Sequence, residues 1–236
     1  MRILLNLKQC LFAVVLLGLL FAQKYDISIW GIKVGTATIS RDSESEATLN
    51  LQTLDYITNL YPIDIEYNAK FNPADYSAIE ACKNSKQGDN KIEYTVDYFD
   101  NNYAVYNGKD TLRINPKTYS FLSLLYKIIE SSIDSIDTKW FDLENEGILY
   151  KARPLWNDTT TLVINNNEYI CDHYRFDLKV TDDSSKLFDE TDYFNDLFFD
   201  INSIRQIWVE NWQKQKRLIK IALKNTLINL EMVIAD

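Results

Sequence analysis

Histidine is almost absent from this sequence: His173 stands alone among 236 residues. A lone histidine cannot build a His-cluster metal centre, and no G-x-S-x-G segment supplies a hydrolase nucleophile elbow. Within Asp172-His173-Tyr174 it reads as an ordinary strand-face side chain. Glycine and proline are also scarce, at 6 and 4. Gly31 and Gly35, in Trp30-Gly31-Ile32-Lys33-Val34-Gly35, do not form the G-x-G-x-x-G that opens a nucleotide-binding helix. They read instead as a bulge or a close backbone approach in a β context. With 34 acidic against 25 basic residues, the formal net charge is −9. That balance argues against nucleic acid and anionic lipid surfaces, which recruit Lys- and Arg-rich faces. No catalytic or cofactor motif emerges, and the chain reads as a non-enzyme.

Cysteine is limited to Cys10, Cys82 and Cys171. The absence of CxxC excludes the usual thiol–disulfide redox motif. Long apolar runs are missing too, apart from Leu11–Ala22, broken only by Gly18. Arg2 and Lys8 precede that run and the first acid is Asp26, so residues 1–22 read as a secretory signal peptide. The run is shorter than the roughly 20 residues a bilayer core requires. No span is expected after cleavage, which leaves residues 23–236 as one exported domain and makes the charge two units more negative. Cys82 and Cys171 then remain in an oxidising compartment, where an even pair suggests a disulfide.

What the chain does have is aromatic side chains and period-two alternation. Ile92, Tyr94, Val96 and Tyr98 share one face of Lys91–Tyr98. Ile219, Ile221 and Leu223 do so in Arg217–Leu223, and Ile228, Leu230, Met232 and Ile234 in Thr226–Ile234. Such segments predict a mainly β chain of antiparallel strands with one wet face. Asn107-Gly108, Asn165-Asn166-Asn167 and Gln213-Lys214-Gln215 supply the turns of a meander. Lys151–Asp158, with Arg153-Pro154, reads as a crossing between two halves. One segment is helical by period: Asn115 caps, Pro116 follows, and Tyr119, Leu122, Leu125 or Tyr126, Ile129, Ile133 and Ile136 form one stripe. The expectation is a helix of about five turns covering an open side of the sheet.

Three clusters remain. Asp182, Asp183, Asp189, Glu190, Asp192 and Asp196 lack calcium-loop spacing and read as a solvated acidic loop. Paired carboxylates for glycoside hydrolysis are set by space and not by sequence, so a polymer hydrolase is a minor alternative. Among five tryptophans, Trp208 and Trp212 fall on one polar strand face with Gln206 and Glu210. Core or surface cover is the plain reading for the tryptophans, and ligand lining the alternative.

Several segments resemble the DUF3108 family of exported bacterial domains of unknown function. The opening strand Tyr25–Ala37 with its Gly31–Gly35 turn is similar, as are Ser123-Leu124-Leu125-Tyr126 and the ending from Ile207-Trp208-Val209 through Arg217–Ile221. Lys127 and Ile128 follow the Leu-Leu-Tyr stretch where the family often carries Arg. The resemblance implies a strongly curved antiparallel sheet or partly open β-barrel in the periplasm or outer envelope, with no known reaction. On that architecture Trp30, Leu122, Leu125, Trp208 and Trp212 are the candidate lining of a site for a lipid or other amphiphile. The alternative is an envelope scaffold whose partner is another envelope protein and whose sheet holds no cavity.

Overall fold

A computed structural model describes residues 22–58, 62–181, 187–188, 190–211 and 216–235. The leader reading, Trp212, the turn at 213–215, and Asp182, Asp183 and Asp189 lie outside the described residues. Among the described residues, fourteen strands form one antiparallel sheet in the order β8-β7-β6-β5-β4-β3-β2-β1-β14-β13-β12-β11-β10-β9. The first half of the chain is a meander from β1 (Gln23–Ile29) to β8 (Asp110–Arg113). The second runs from β9 (Phe141–Asn145) to β14 (Asn229–Ile234), and β1 pairs with β14 to join the halves. The sheet is strongly curved and its two edges, β8 and β9, do not pair with each other.

Local sequence accounts for most of this. In β6 (Asn90–Phe99) Ile92, Tyr94 and Val96 are buried and the residues between them exposed, the alternation a one-sided sheet demands. Asn107 and Gly108 hold φ of 50° and 65° in the turn between β7 (Tyr103–Tyr106) and β8. Asn165 and Asn166 do the same, at 49° and 66°, between β10 (Ile148–Ile164) and β11 (Asn167–Val180). Both pairs suit a tight hairpin, because Asn and Gly tolerate positive φ. Gly35 marks a close approach: a Cβ there would lie 2.6 Å from the Gln52 carbonyl oxygen.

Two expectations are corrected. Lys151–Asp158 is no crossing; it lies within β10. Pro154 is tolerated there because the β9 ladder ends at Phe141–Ala152, so the missing N–H leaves no β9 partner unmet. The helix is also shorter than its apolar period suggests. A short α1 (Asp55–Thr58) precedes it, and α2 spans Phe121–Glu130, starting at Ser120, whose capping box with Ser123 satisfies the first amides. Lys117 at φ 59° breaks the turn at Asn115-Pro116, and Ser131 ends α2 before the four-residue α3 (Ile133–Ile136).

α2 covers the hollow side of the curved sheet, as its apolar period predicts, and is buried over more than one stripe. Eight of its ten residues are buried, and it packs on β3 (Glu46–Thr53), β4 (Ile63–Phe71), β9 and β13 (Arg217–Lys224). A helix apolar nearly all round belongs inside a core. Here it fills the hollow of the curl, and each buried Leu or Phe contributes about 1.5–3 kcal/mol.

Candidate functional site

The sheet edges approach each other where polar side chains concentrate. Tyr119 donates its N–H to Asp142 O at 2.8 Å and accepts from Glu144 N at 2.9 Å, while Thr118 O accepts from Ala78 N at 2.9 Å. Residues 118–119 thus bridge β9 to the start of β5 (Ala78–Gln87). Beside this bridge the β9–β10 hairpin reaches the inner face of β5, β6 and β7. Its two-residue turn is Glu146-Gly147, with φ of 52° and 82°.

At that tip three carboxylates and one ammonium are sealed from water. Lys83 forms ion pairs with Glu146 and with Asp192, and all three side chains are 4% exposed or less. Glu144 accepts from Tyr98 Oη at 2.6 Å, from Tyr106 Oη, and from Gly147 N at 2.7 Å. Burial is the main reason its pKa is raised, and the three donors oppose that rise. Burial and the nearby Glu144 also push the Tyr98 and Tyr106 hydroxyls up. Asn195 ties the cluster together: its Nδ2 donates to Glu146 Oε2 at 3.1 Å, and its Oδ1 accepts from Asn145 Nδ2 at 2.8 Å.

The cover comes from the segment that ends in α4 (Tyr193–Phe199). Asp192 caps α4 by accepting from Asn195 N at 2.9 Å, and Tyr193 N donates to Gln87 Oε1 at 2.9 Å. Phe188 packs on Tyr94 and Tyr106, with ring centroids 5.1 and 5.7 Å away. Leu187 sits against Gly147, where a Cβ would come within 2.5 Å of it. Arg205 of β12 (Ile204–Glu210) holds the far end of α4 by donating to Phe198 O and Asp200 O, and to Ser203 O at 2.8 Å. Burial lowers its pKa to about 10. Chemically, the cluster is a closed polar seam. Side-chain bonds do for β9 and β5–β7 what backbone pairing would do in a closed barrel.

This seam was not singled out from sequence. Asp192, read as part of a solvated acidic loop, is 1% exposed and ion-paired, whereas Glu190 is exposed. The signal available was Lys83 at an inward position of a strand, between Ala81 and Ser85. The carboxylate pair of the hydrolase reading has a counterpart in Glu144 and Glu146, but both are buried beneath Leu187, Phe188 and α4 and open to no cleft among the described residues.

The four candidate lining residues that are described, Trp30, Leu122, Leu125 and Trp208, do not come together. Trp30 sits at the β1–β2 turn (β2, Ile32–Ser43) with φ 54° and is 60% exposed. Leu122 and Leu125 are α2 core residues. The gap that Leu125 helps line, with Phe121, Ile128, Leu143 and Phe198, is about 10 Å³, the size of one water probe. Trp208 belongs to another surface. His173 stacks on it at 4.4 Å and 3°, with Nε2 3.1 Å from Gln206 Nε2 and Nδ1 3.2 Å from Asp158 Oδ1. Lys220 lies 5.3 Å above the same indole and pairs with Glu231 at 2.7 Å.

Cys82 and Cys171 are free thiols, which corrects the expected disulfide. Seven strands stand between β5 and β11 in the sheet, and Cys82 points away from the interior, alternating with buried Ala81 and Lys83. A disulfide needs Cα atoms about 4.4–6.8 Å apart. No helix among the described residues is long and apolar enough to cross a membrane.

No family model matches the chain, and no curated protein matches it by sequence. Among solved structures it is similar to a β-barrel-like protein of domain of unknown function DUF1849 from Brucella abortus. That likeness has a TM-score of 0.55 at 7% identity, over 92% of this chain and 95% of that one. A DUF1089 family protein from Pseudomonas aeruginosa gives a TM-score of 0.32 at 7% identity, over 84% and 83%. The chain therefore shares its fold, a curved antiparallel sheet rolled into an incomplete barrel, with a β-barrel-like domain of unknown function.

Proposed function

We propose that this chain is an exported, non-enzymatic protein of the bacterial periplasm or outer envelope that acts through its outer surface as an interaction module. The observation that carries this reading is α2 inside the curl: Leu122 is 0% and Leu125 3% exposed, and the gap that Leu125 helps line is about 10 Å³. Carrying an amphiphile there would require α2 to leave its place and expose an apolar surface on nearly every side. The polar cluster at the seam is likewise enclosed, so it serves closure and not turnover. Export rests on the charged-then-apolar leader and on the resemblance to DUF3108.

Native mass spectrometry of the full chain, isolated from its own envelope fraction, tests the reading. The expected result is a protein mass lacking residues 1–22 with no lipid-sized adduct. A stoichiometric lipid adduct would overturn the interaction reading in favour of a carrier.

A further inference from the structure

The longest hairpin of the fold outruns its neighbours. β9 pairs with β10 only over Ile148–Ala152, and β12 pairs with β11 only over Cys171–Arg175. From Asp158 to Ile170 the two strands form a ribbon with β11 on one side of β10 and, among the described residues, no strand on the other. A two-stranded ribbon is marginal in water on its own. The two-residue turn makes Ile164–Asn167 a hydrogen-bonded pair, so Leu162 and Thr160 also bond to β11. Thr159, Thr161 and Val163 therefore direct their N–H and C=O groups outward, along a free edge.

Natural edges are usually short, charged, proline-bearing or bulged, because an open ladder recruits other strands. β8 follows that rule, with four residues that include Asp110 and Arg113. The β10 edge does not: Thr159-Thr160-Thr161-Leu162-Val163-Ile164 contains no charge, glycine or proline. The bulge at Asn157 and Pro154 both lie outside it. On the face that carries Thr161, Val163 is 68% and Ile170 44% exposed.

We propose that this edge is a self-association surface, on which β10 of a second copy pairs antiparallel about a two-fold axis at Thr161. That register sets Thr161 against its own copy, Val163 against Thr159, Leu162 against Thr160 and Asp158 against Ile164. β-branched pairs of this kind are favourable. The one nearby acid of the strand meets an apolar residue and not its own copy. An isologous pairing of this sort closes on itself as a dimer and continues the sheet from one copy into the next. The edge is short, which places the association among weak, concentration-dependent ones. The proposal rests on the reading of the chain as one that works through its surface, and it names the partner.

Size-exclusion chromatography with light scattering, on the full chain over a concentration series, tests it. The wild-type mass should rise toward twice that of the monomer. Val163→Lys, at an exposed position, and Thr161→Pro, which removes only an outward N–H, should each hold the mass at the monomer value. Thr111→Lys on the β8 edge should leave the wild-type doubling intact. Circular dichroism identifies a variant that has lost its fold, in which case Val163→Lys decides the outcome. A wild type that stays monomeric throughout, or a dimer unaffected by Val163→Lys, would overturn the proposal. A bare monomer defeats only this pairing, whereas a monomer carrying lipid defeats the interaction reading itself.

Discussion

The carboxylate of Asp192 serves two partners at once: Oδ2 pairs with Lys83 on β5, and Oδ1 accepts the N–H of Asn195 at 2.9 Å. One side chain therefore both caps α4 and pins it to the opposite wall of the curl. The ion pair is buried, so removing one partner leaves an uncompensated charge and not merely a lost bond.

Lys83→Met should accordingly destabilise the protein by about 3–5 kcal/mol, because Glu146 and Asp192 would both stay buried without their cation. Asp192→Asn should cost less: asparagine is an equally good cap, and Glu146 still neutralises Lys83. Urea unfolding of the two variants checks the order. Equal losses would mean that Lys83 contributes little beyond its packing.

The contrast between these two residues marks what the sequence discloses. The strand pattern was legible because alternation is a local property: β6, β13 and β14 could be read from their own residues, and so could the Asn107-Gly108 turn. The seam was not, because it is assembled from positions that are remote in the chain and share no motif. Lys83 interrupts an inward face, Glu146 occupies a hairpin turn, and Asp192 sits in an acid-rich stretch that composition assigns to solvent. The helix was legible in period but not in extent. Apolar spacing continues past Ser131, yet the Ser120 capping box and the positive φ of Lys117 set where α2 begins.

Glu144 gives the fold a pH dependence of definite sign. Its folded pKa is raised above the ordinary 4.5, chiefly by burial, so the native state binds this proton more tightly than the unfolded chain does. The resulting stability is fully present below pH 4.5 and is lost as pH rises from there through the folded-state value. Glu144→Gln should flatten this part of the stability–pH curve, since an amide still accepts from one tyrosine and can donate to the other. Glu144→Ala should instead destabilise at every pH by leaving the Tyr98 and Tyr106 hydroxyl donors unmet, at about 1–3 kcal/mol for each buried group; Gly147 N keeps Tyr106 Oη as an acceptor at 3.0 Å. Denaturant midpoints of the three proteins between pH 4 and pH 8 separate the cases; a Gln variant with an unchanged slope would assign the dependence elsewhere.

The two thiols should differ in reactivity. Burial, with Glu210 and Asp172 nearby, pushes the Cys171 thiol up to about 12, so its nucleophilic thiolate is scarce at neutral pH. Cys82 is half-buried and faces outward. Iodoacetamide on the native, unreduced chain should modify Cys82 first and reach Cys171 only in denaturant. Peptide mass spectrometry gives the answer, and a Cys82–Cys171 disulfide-linked peptide in unreduced protein would contradict the free thiols.

Gly147 offers the sharpest probe of how the seam is closed, because two separate penalties meet there. Its φ of 82° strains any side chain, and a Cβ would stand 2.5–2.8 Å from Leu187 atoms. The backbone part costs on the order of 1–3 kcal/mol, and the steric part adds to it unless the cover moves away. Leu187→Ala removes the obstructing atoms and leaves φ untouched. Gly147→Ala should therefore be more damaging in the wild-type background than in Leu187→Ala, with a coupling of about 0.5–3 kcal/mol between contacting sites. Additive losses across this double-mutant cycle, measured by thermal unfolding, would mean that Leu187 does not rest on the hairpin turn. A positive coupling would tie the cover to the β9–β10 tip, and through Asp192 to Lys83, as one unit.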